Sequence, residues 1–156
     1  MSVYLRVINS VSKQFKPVYC AGIRAAGLKI SCTQRTKEDQ YHPDSVVSYE
    51  QLKTLLTSHS IQLFDVRNQD EFLAGCIPDA VNIPLGQLEE SLKLHPDNFE
   101  KLFKVKAPKK EDDNIVFHCQ KGRRSLTALD IAWNLGFSRA RHYAGGYKEW
   151  AEKEKQ

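Results

Sequence analysis

Short apolar runs alternate with amphipathic segments between about residues 45 and 154. Runs rich in β-branched and aromatic residues predict strands at positions 61–64, 80–83, 114–117 and 141–143. The run at 114–117 is the clearest, because its compact apolar core suits a sheet that is buried on both faces. Strands separated by helices imply a parallel sheet with helices on both faces, so the pattern predicts an α/β fold.

Helical patterns occupy the segments between these strands. Ser48 and Gln51 have the spacing of a capping box ahead of a leucine-rich face. The longest helix is predicted over residues 125–135, where most of the polar residues form one stripe and Gly136 is placed to end it. Shorter helices are predicted to begin at Asp70, to include 88–92, to begin at Asp97 and to cover 147–154.

The length of 156 residues fits one domain, with or without an extension. Hydrophobic residues make up 41% and charged residues 27% of the chain, which are ordinary values for a globular protein. The longest stretch without a charged residue covers positions 54–64, whereas a membrane-spanning helix needs roughly 18–20 apolar residues. Composition therefore excludes a transmembrane protein, and four cysteines without regular spacing do not predict a disulfide scaffold.

The net charge of +4 is unevenly distributed. Residues 1–37 contain seven basic residues and no acidic one, whereas residues 38–156 contain 16 basic and 19 acidic residues, a net −3. We therefore predict a basic N-terminal extension at 1–37, most simply a mitochondrial presequence, with a disordered basic arm as the alternative. The basic balance belongs to this extension, so it does not predict nucleic-acid binding by the folded part.

The candidate chemistry lies between the strand at 114–117 and the helix that follows it. Its sequence is His118-Cys-Gln-Lys-Gly-Arg-Arg-Ser125. A short loop here can turn successive backbone N–H groups inward as an anion-binding nest at a helix N-terminus, and Gly122 allows the tight turn. Three cations in the loop would help to stabilise a Cys119 thiolate. The site is expected to favour a sulfur nucleophile and anionic substrates; the alternative is a buried structural cysteine beside a solvated basic loop.

Five segments, in order, resemble the family of single-domain rhodaneses, which are sulfurtransferases. They are Leu-Phe-Asp-Val-Arg at 63–67, Glu-Phe at 71–72, Gly-Cys-Ile-Pro-Asp-Ala-Val-Asn-Ile-Pro at 75–84, the loop at 119–124, and Ala-Gly-Gly-Tyr-Lys-Glu-Trp at 144–150. The resemblance covers about residues 45–154 and implies a rhodanese-like fold with a five-stranded parallel sheet. One departure is Cys76, which stands where many members have His; a redox role for it remains an alternative to a plain small side chain.

The resemblance also implies a reaction in two steps. Cys119 would accept a sulfane sulfur from thiosulfate or a related persulfide donor, and a thiol such as glutathione or thioredoxin would then remove it. We expect no metal or other cofactor, and the sequence does not indicate an oligomeric state. The predicted substrate-binding residues are Gln120, Lys121, Gly122, Arg123, Arg124, Ser125 and Arg67.

Two other functions and several neighbouring roles stay open from the sequence. A cysteine-based phosphatase or arsenate reductase would need arginine six positions after Cys119, where Ser125 stands. A non-catalytic interaction domain is the other alternative.

Asp65 is expected to accept hydrogen bonds from backbone donors and His118 to pack in the core. Arg67 is expected either to pair with Glu71, four residues on, or to contact substrate.

Overall fold

The computed structural model describes residues 43–155, so the predicted extension at 1–37 lies outside the described residues. Five strands form one sheet in the order β1-β5-β4-β2-β3, and each pair of neighbours is parallel. The strands are β1 (Val46–Val47), β2 (Gln62–Asp65), β3 (Val81–Asn82), β4 (Ile115–His118) and β5 (Arg141–Tyr143). The predicted α/β fold with five parallel strands is confirmed, although the hydrophobic pattern alone had not indicated β1.

Six helices surround the sheet, and a 3-10 turn at Pro43–Ser45 precedes β1. They are α1 (Tyr49–Thr57), α2 (Gln69–Leu73), α3 (Leu85–Leu92), α4 (Pro96–Phe103), α5 (Arg123–Asn134) and α6 (Gly146–Lys153). The predicted capping box of α1 is present, with Ser48 and Gln51 each accepting from the other's backbone N–H. Helix α4 begins at Pro96, one residue before the predicted start, because proline at the first helical position loses no hydrogen bond.

The apolar residues form two clusters, one on each face of the sheet. Consecutive residues of a strand belong to different clusters. Phe64 and Phe117 lie in one cluster, whereas Leu63 and Val116 lie in the other. This separation follows from the alternation of side chains along a strand. The helices that contribute apolar residues to the first cluster are α3, α4 and α5, and those that contribute to the second are α1 and α6. The helices therefore cover both faces, as predicted.

Strands β2 and β4 are neighbours, and their last residues, Asp65 and His118, are paired in register. Both are followed by loops that lead into helices α2 and α5. Because the carboxyl ends of parallel strands lie at one edge of the sheet, the segment after Asp65 and the loop after His118 lie side by side. Among the described residues, no helix is long and apolar enough to cross a membrane.

Candidate active site

Cys119 is the first residue after β4, and only 1% of its surface is exposed. The loop turns at Gly122, which has a φ of +82° and precedes α5. A Cβ atom at this position would lie 2.2 Å from the Ala144 carbonyl oxygen. Left-handed backbone and close approach both require glycine here. The predicted tight turn between a strand and a helix is therefore the arrangement that the structure shows.

The N-terminus of α6 holds the other side of this loop. The Tyr147 N–H donates to the Cys119 carbonyl at 2.7 Å, and the Lys148 N–H donates to the Gln120 carbonyl at 3.1 Å. In a trans peptide the N–H points opposite to the C=O of the same unit. The N–H groups of Gln120 and Lys121 are therefore directed away from α6, an orientation that suits an anion-binding nest.

Ser125 lies in the first turn of α5, fully buried beside Cys119. Its Oγ is 3.8 Å from the Cys119 Sγ, donates to the Gly122 carbonyl at 2.9 Å, and lies 3.3 Å from Nδ1 of His142. His142 is a buried residue of β5. Nothing in its local sequence indicated a contact with the loop, because the contact depends on β5 lying next to β4 in the sheet.

Arg67 lies beneath the loop rather than in solvent, with its side chain only 2% exposed. Its guanidinium pairs with both carboxylate oxygens of Asp65, at 2.6–3.0 Å, and donates to the Gly75 carbonyl at 2.8 Å. It also donates to Gln120 Oε1 at 3.2 Å and packs 4.3 Å from the centre of the Tyr147 ring. Asp65 also accepts from one backbone donor, the Arg67 N–H at 2.9 Å, as predicted. Its main partner, however, is the Arg67 guanidinium, which the sequence did not indicate.

Glu71 pairs with Arg124, and the possible ion pair between Glu71 and Arg67 is not formed. The two guanidinium nitrogens of Arg124 contact the Glu71 carboxylate at 2.6 and 2.8 Å. Glu71 also accepts from the Asn68 N–H, at the start of α2. Mainly because Arg124 donates to it, the pKa of the Glu71 carboxyl is lowered to about 2. Arg67 precedes α2, so the helical i,i+4 spacing does not apply to it.

Lys121 and Arg123 are the exposed cations of the loop. Arg124 is only about one-third exposed, because its side chain leans on Glu71. The guanidinium of Arg124 nevertheless interacts electrostatically with Cys119. The loop therefore presents two solvated cations and one that a carboxylate already neutralises in part. From the sequence, Lys121 and Arg124 were the favoured cations for attracting an anionic donor, ahead of Arg123. The structure instead exposes Arg123 and pairs Arg124 with Glu71, because residue spacing carries no information on which cation has an acidic partner.

His118 is completely buried, which confirms that it packs in the core. Its Nε2 lies 3.7 Å from Asp65 Oδ2, and neither ring nitrogen has a hydrogen-bond partner among residues 43–155. Burial outweighs the attraction of Asp65 and lowers the pKa of the imidazole to about 4. His118 is therefore neutral near pH 7 and does not form an ion pair with Asp65.

The two cysteines of the described segment differ in environment. Cys76 is exposed and Cys119 is buried, and both are free thiols. Within residues 43–155, no group of three or more His, Cys, Asp or Glu side chains is arranged to hold a metal ion.

Comparisons with known proteins agree on one family. The model of the rhodanese-like domain matches residues 48–153. The chain is 48% identical over 108 residues to human thiosulfate:glutathione sulfurtransferase, covering 69% of this chain and 94% of the relative. It is 43% identical over 94 residues to the putative mitochondrial thiosulfate sulfurtransferase of Schizosaccharomyces pombe, covering 60% of this chain and 66% of the relative.

A solved structure gives the same result at the level of the fold. The human single-domain sulfurtransferase TSTD1 superimposes with a TM-score of 0.68 at 47% sequence identity, covering 70% of this chain and 96% of the human chain. The match thus extends over the described domain and nearly the whole of the human protein. The fold, the loop after β4 and the extent of the family match all agree. The chain therefore belongs to the rhodanese-like family of single-domain sulfurtransferases.

Proposed function

We propose that this protein is a thiosulfate sulfurtransferase that carries sulfur on Cys119 and delivers it to a low-molecular-weight thiol. The observation that carries the proposal is the Cys119 loop. Two of its carbonyls are engaged by α6, so the partner N–H groups face the opposite side, where a sulfur anion can accept from them. The names of the similar proteins specify thiosulfate and, for the human relative, glutathione.

The reaction is covalent catalysis in two half-reactions. The Cys119 thiolate attacks the outer, sulfane sulfur of thiosulfate, and the bond between that sulfur and the sulfonate sulfur breaks to release sulfite. Cys119 then carries a persulfide anion. Glutathione thiolate attacks the terminal sulfur, the persulfide bond breaks, and the Cys119 thiolate returns with glutathione persulfide as product. Charge is conserved in each step, and neither step requires an external oxidant or reductant.

The surrounding residues fall into three proposed groups. Lys121 and Arg123 are exposed and attract the anionic donor, while Gln120, Gly122 and Ser125 shape the loop that holds the sulfur. Arg124 and Arg67 contribute as anchored cations. Arg67 acts mainly through the side chain of Gln120, to which it donates at 3.2 Å. In this arrangement Arg67 is a positioning residue rather than a direct contact for the donor.

We further propose that residues 1–37 direct the protein to mitochondria and that residues 45–154 form the catalytic domain. The support is the basic, acid-free composition of residues 1–37, together with a family match that begins only at residue 48. One similar protein, from Schizosaccharomyces pombe, is named as mitochondrial.

Mass spectrometry of the intact full-length protein after exposure to thiosulfate tests the function. We expect a gain of one sulfur atom, located on the tryptic peptide 111–121, whose only cysteine is Cys119, and lost on adding glutathione. Cys119→Ser should show no gain, whereas Cys76→Ser should behave like the wild type. Sulfur retained by the Cys119→Ser protein, or found on the peptide that contains Cys76, would contradict the proposal.

A further inference from the structure

The Ser125 hydroxyl lies among three groups that compete for its single hydrogen. It contacts the Cys119 Sγ at 3.8 Å, the Gly122 carbonyl at 2.9 Å and His142 Nδ1 at 3.3 Å. A hydroxyl has one hydrogen to donate and two lone pairs to accept with. The Gly122 carbonyl can only accept. With the hydrogen directed to Gly122, both the thiol and the imidazole must donate to Ser125.

His142 is a buried, neutral partner of Ser125, and its tautomer decides whether Nδ1 donates or accepts. It is a buried residue of β5, paired with Val46 on one side and Phe117 on the other. Burial lowers the pKa of the imidazole, so the ring is neutral near pH 7 and carries one N–H. If that hydrogen lay on Nε2, Nδ1 would be an acceptor and would compete with the sulfur for the only hydrogen of Ser125.

We propose that His142, in the tautomer with the hydrogen on Nδ1, is a positioning residue that prepares Ser125 to donate to the sulfur of Cys119. While Cys119 is a thiol, it donates to Ser125, and Ser125 donates to Gly122. When the sulfur becomes an anion, the Ser125 hydrogen turns from the Gly122 carbonyl to the sulfur. His142 continues to donate to Ser125 in both states. This inference deepens the proposed function, on which the catalytic relevance of Cys119 rests.

Other charges act on the same sulfur and must be held constant in a test. Arg124, from α5, interacts electrostatically with Cys119 and is paired with Glu71 of α2. The exposed cations of the loop also attract a negative charge on this sulfur, but solvent and salt screen them. Asp65 and Arg67 are charged groups that interact with His118, the residue before Cys119. None of these charged groups is removed by changing Ser125 or His142.

The test is the pH dependence of Cys119 alkylation by iodoacetamide, measured on the tryptic peptide 111–121 of the full-length protein. The reagent is uncharged and reacts with the thiolate, so the midpoint of the profile reports the ionisation of Cys119. Because a hydrogen bond to a charged group is lost, Ser125→Ala should raise the midpoint by about one pH unit. His142→Leu should raise it by a smaller amount. Since no sulfur is transferred, this readout fails or succeeds independently of the proposed sulfurtransferase activity.

Three further variants separate positioning from general destabilisation. His142→Asn keeps a donor near the Nδ1 position and should restore most of the wild-type midpoint. The double variant Ser125→Ala/His142→Leu should match Ser125→Ala alone, because His142 acts only through Ser125. His118→Leu removes another buried neutral imidazole, one residue from Cys119, and should leave the midpoint unchanged. An additive double variant, or an equal shift from His118→Leu, would overturn the proposal.

The nitrogen chemical shifts of His142 in the wild-type protein provide a second test that needs no variant. We expect the hydrogen on Nδ1 at neutral pH. A ring protonated on Nε2 alone would overturn the proposal even if the His142 variants failed to fold.

Discussion

The guanidinium of Arg124 and the carboxylate of Glu71 form two hydrogen bonds, at 2.6 and 2.8 Å, between the first turns of α5 and α2. Helix α5 follows the loop that contains Cys119, and α2 follows the neighbouring strand. The pair therefore fastens the two strand-end segments to each other. It also means that one of the three loop cations is partly neutralised before any donor arrives.

The ion pair between Glu71 and Arg124 should make the free energy of unfolding depend on pH in the acid range. Because the pKa of Glu71 is lowered from 4.5 to about 2 in the folded state, its stabilisation is complete above about pH 4.5 and is lost as the pH falls towards 2. The pair is about one-third exposed, so solvent screens it, and Glu71→Gln should cost about 1 kcal/mol at pH 7. Urea unfolding at pH 7, 4 and 3 should show this difference shrinking. Glu89→Gln, in an exposed pair with Lys93, is the control and should change stability less than Glu71→Gln does, at every pH.

Lys121 should affect the donor according to its charge. Lys121→Ala removes an exposed cation from the loop, so it should weaken the use of thiosulfate more than the use of an uncharged persulfide donor. High salt should narrow the difference between variant and wild type, because salt screens exposed charges. Arg139→Ala removes an exposed cation just before β5, at the amino ends of the strands rather than at the carboxyl ends where the loop lies. It should leave the use of both donors unchanged. Equal losses with both donors at all salt concentrations would contradict the electrostatic role.

Gly122 should not tolerate a side chain. Gly122→Ala places a Cβ against the Ala144 carbonyl in left-handed backbone, so it should lower the free energy of unfolding by more than about 2 kcal/mol and abolish sulfur transfer. Gly86→Ala is the matched control, since a Cβ there meets nothing within 4 Å and the residue lies in α3. That variant should be unchanged or stabilised by up to about 1 kcal/mol. Chemical unfolding and a thiosulfate assay on both variants provide the comparison.

The buried pair of Asp65 and Arg67 should behave as one unit. Asp65→Asn or Arg67→Met leaves a buried charged group without its partner, and each change should cost about 3–5 kcal/mol. The double variant should cost clearly less than the sum, because it removes both charges together. Urea unfolding of the four proteins measures this coupling. Strict additivity would show that the two side chains contribute separately.

Residues 1–37 should be dispensable for the fold. Deleting them should leave the melting temperature and sulfur transfer nearly unchanged. A basic segment that contains no acidic residue can bury little apolar surface to offset the entropy lost on ordering. The same deletion should move a fluorescent fusion from mitochondria to the cytosol. A cytosolic full-length fusion would refute the targeting role, and a truncated protein that melts several degrees lower would refute the independence of the domain.

The sequence predicted those parts of the fold that have a local cause. The capping box at Ser48 and the stripe of α5 follow from residues within a few positions of one another. Strand β1 was missed because two residues are too few to show a period; its pairing with β5 creates the strand. The start of α4 was misplaced by one residue, because an acidic residue such as Asp97 is typical of a helix start, whereas Pro96 begins the helix.

The candidate site shows the same division between local and distant causes. The loop from Cys119 to Ser125 could be predicted, since strand, turn and helix signals are contiguous. The partners of its side chains could not. Glu71 and His142 lie 53 and 17 residues from the side chains that they contact, and only the sheet order brings them near. The spacing of Arg67 and Glu71 was misleading, because α2 begins after Arg67.

The bonds from Tyr147 and Lys148 to the Cys119 loop also bear on the order of events during synthesis. The ribosome makes the cysteine first and the two amides that fix its loop later. A nascent chain that has emerged only as far as β5 therefore contains the thiol but lacks the support that α6 gives to the surrounding carbonyls. The loop around Cys119 consequently gains this support only after α6 has been synthesised.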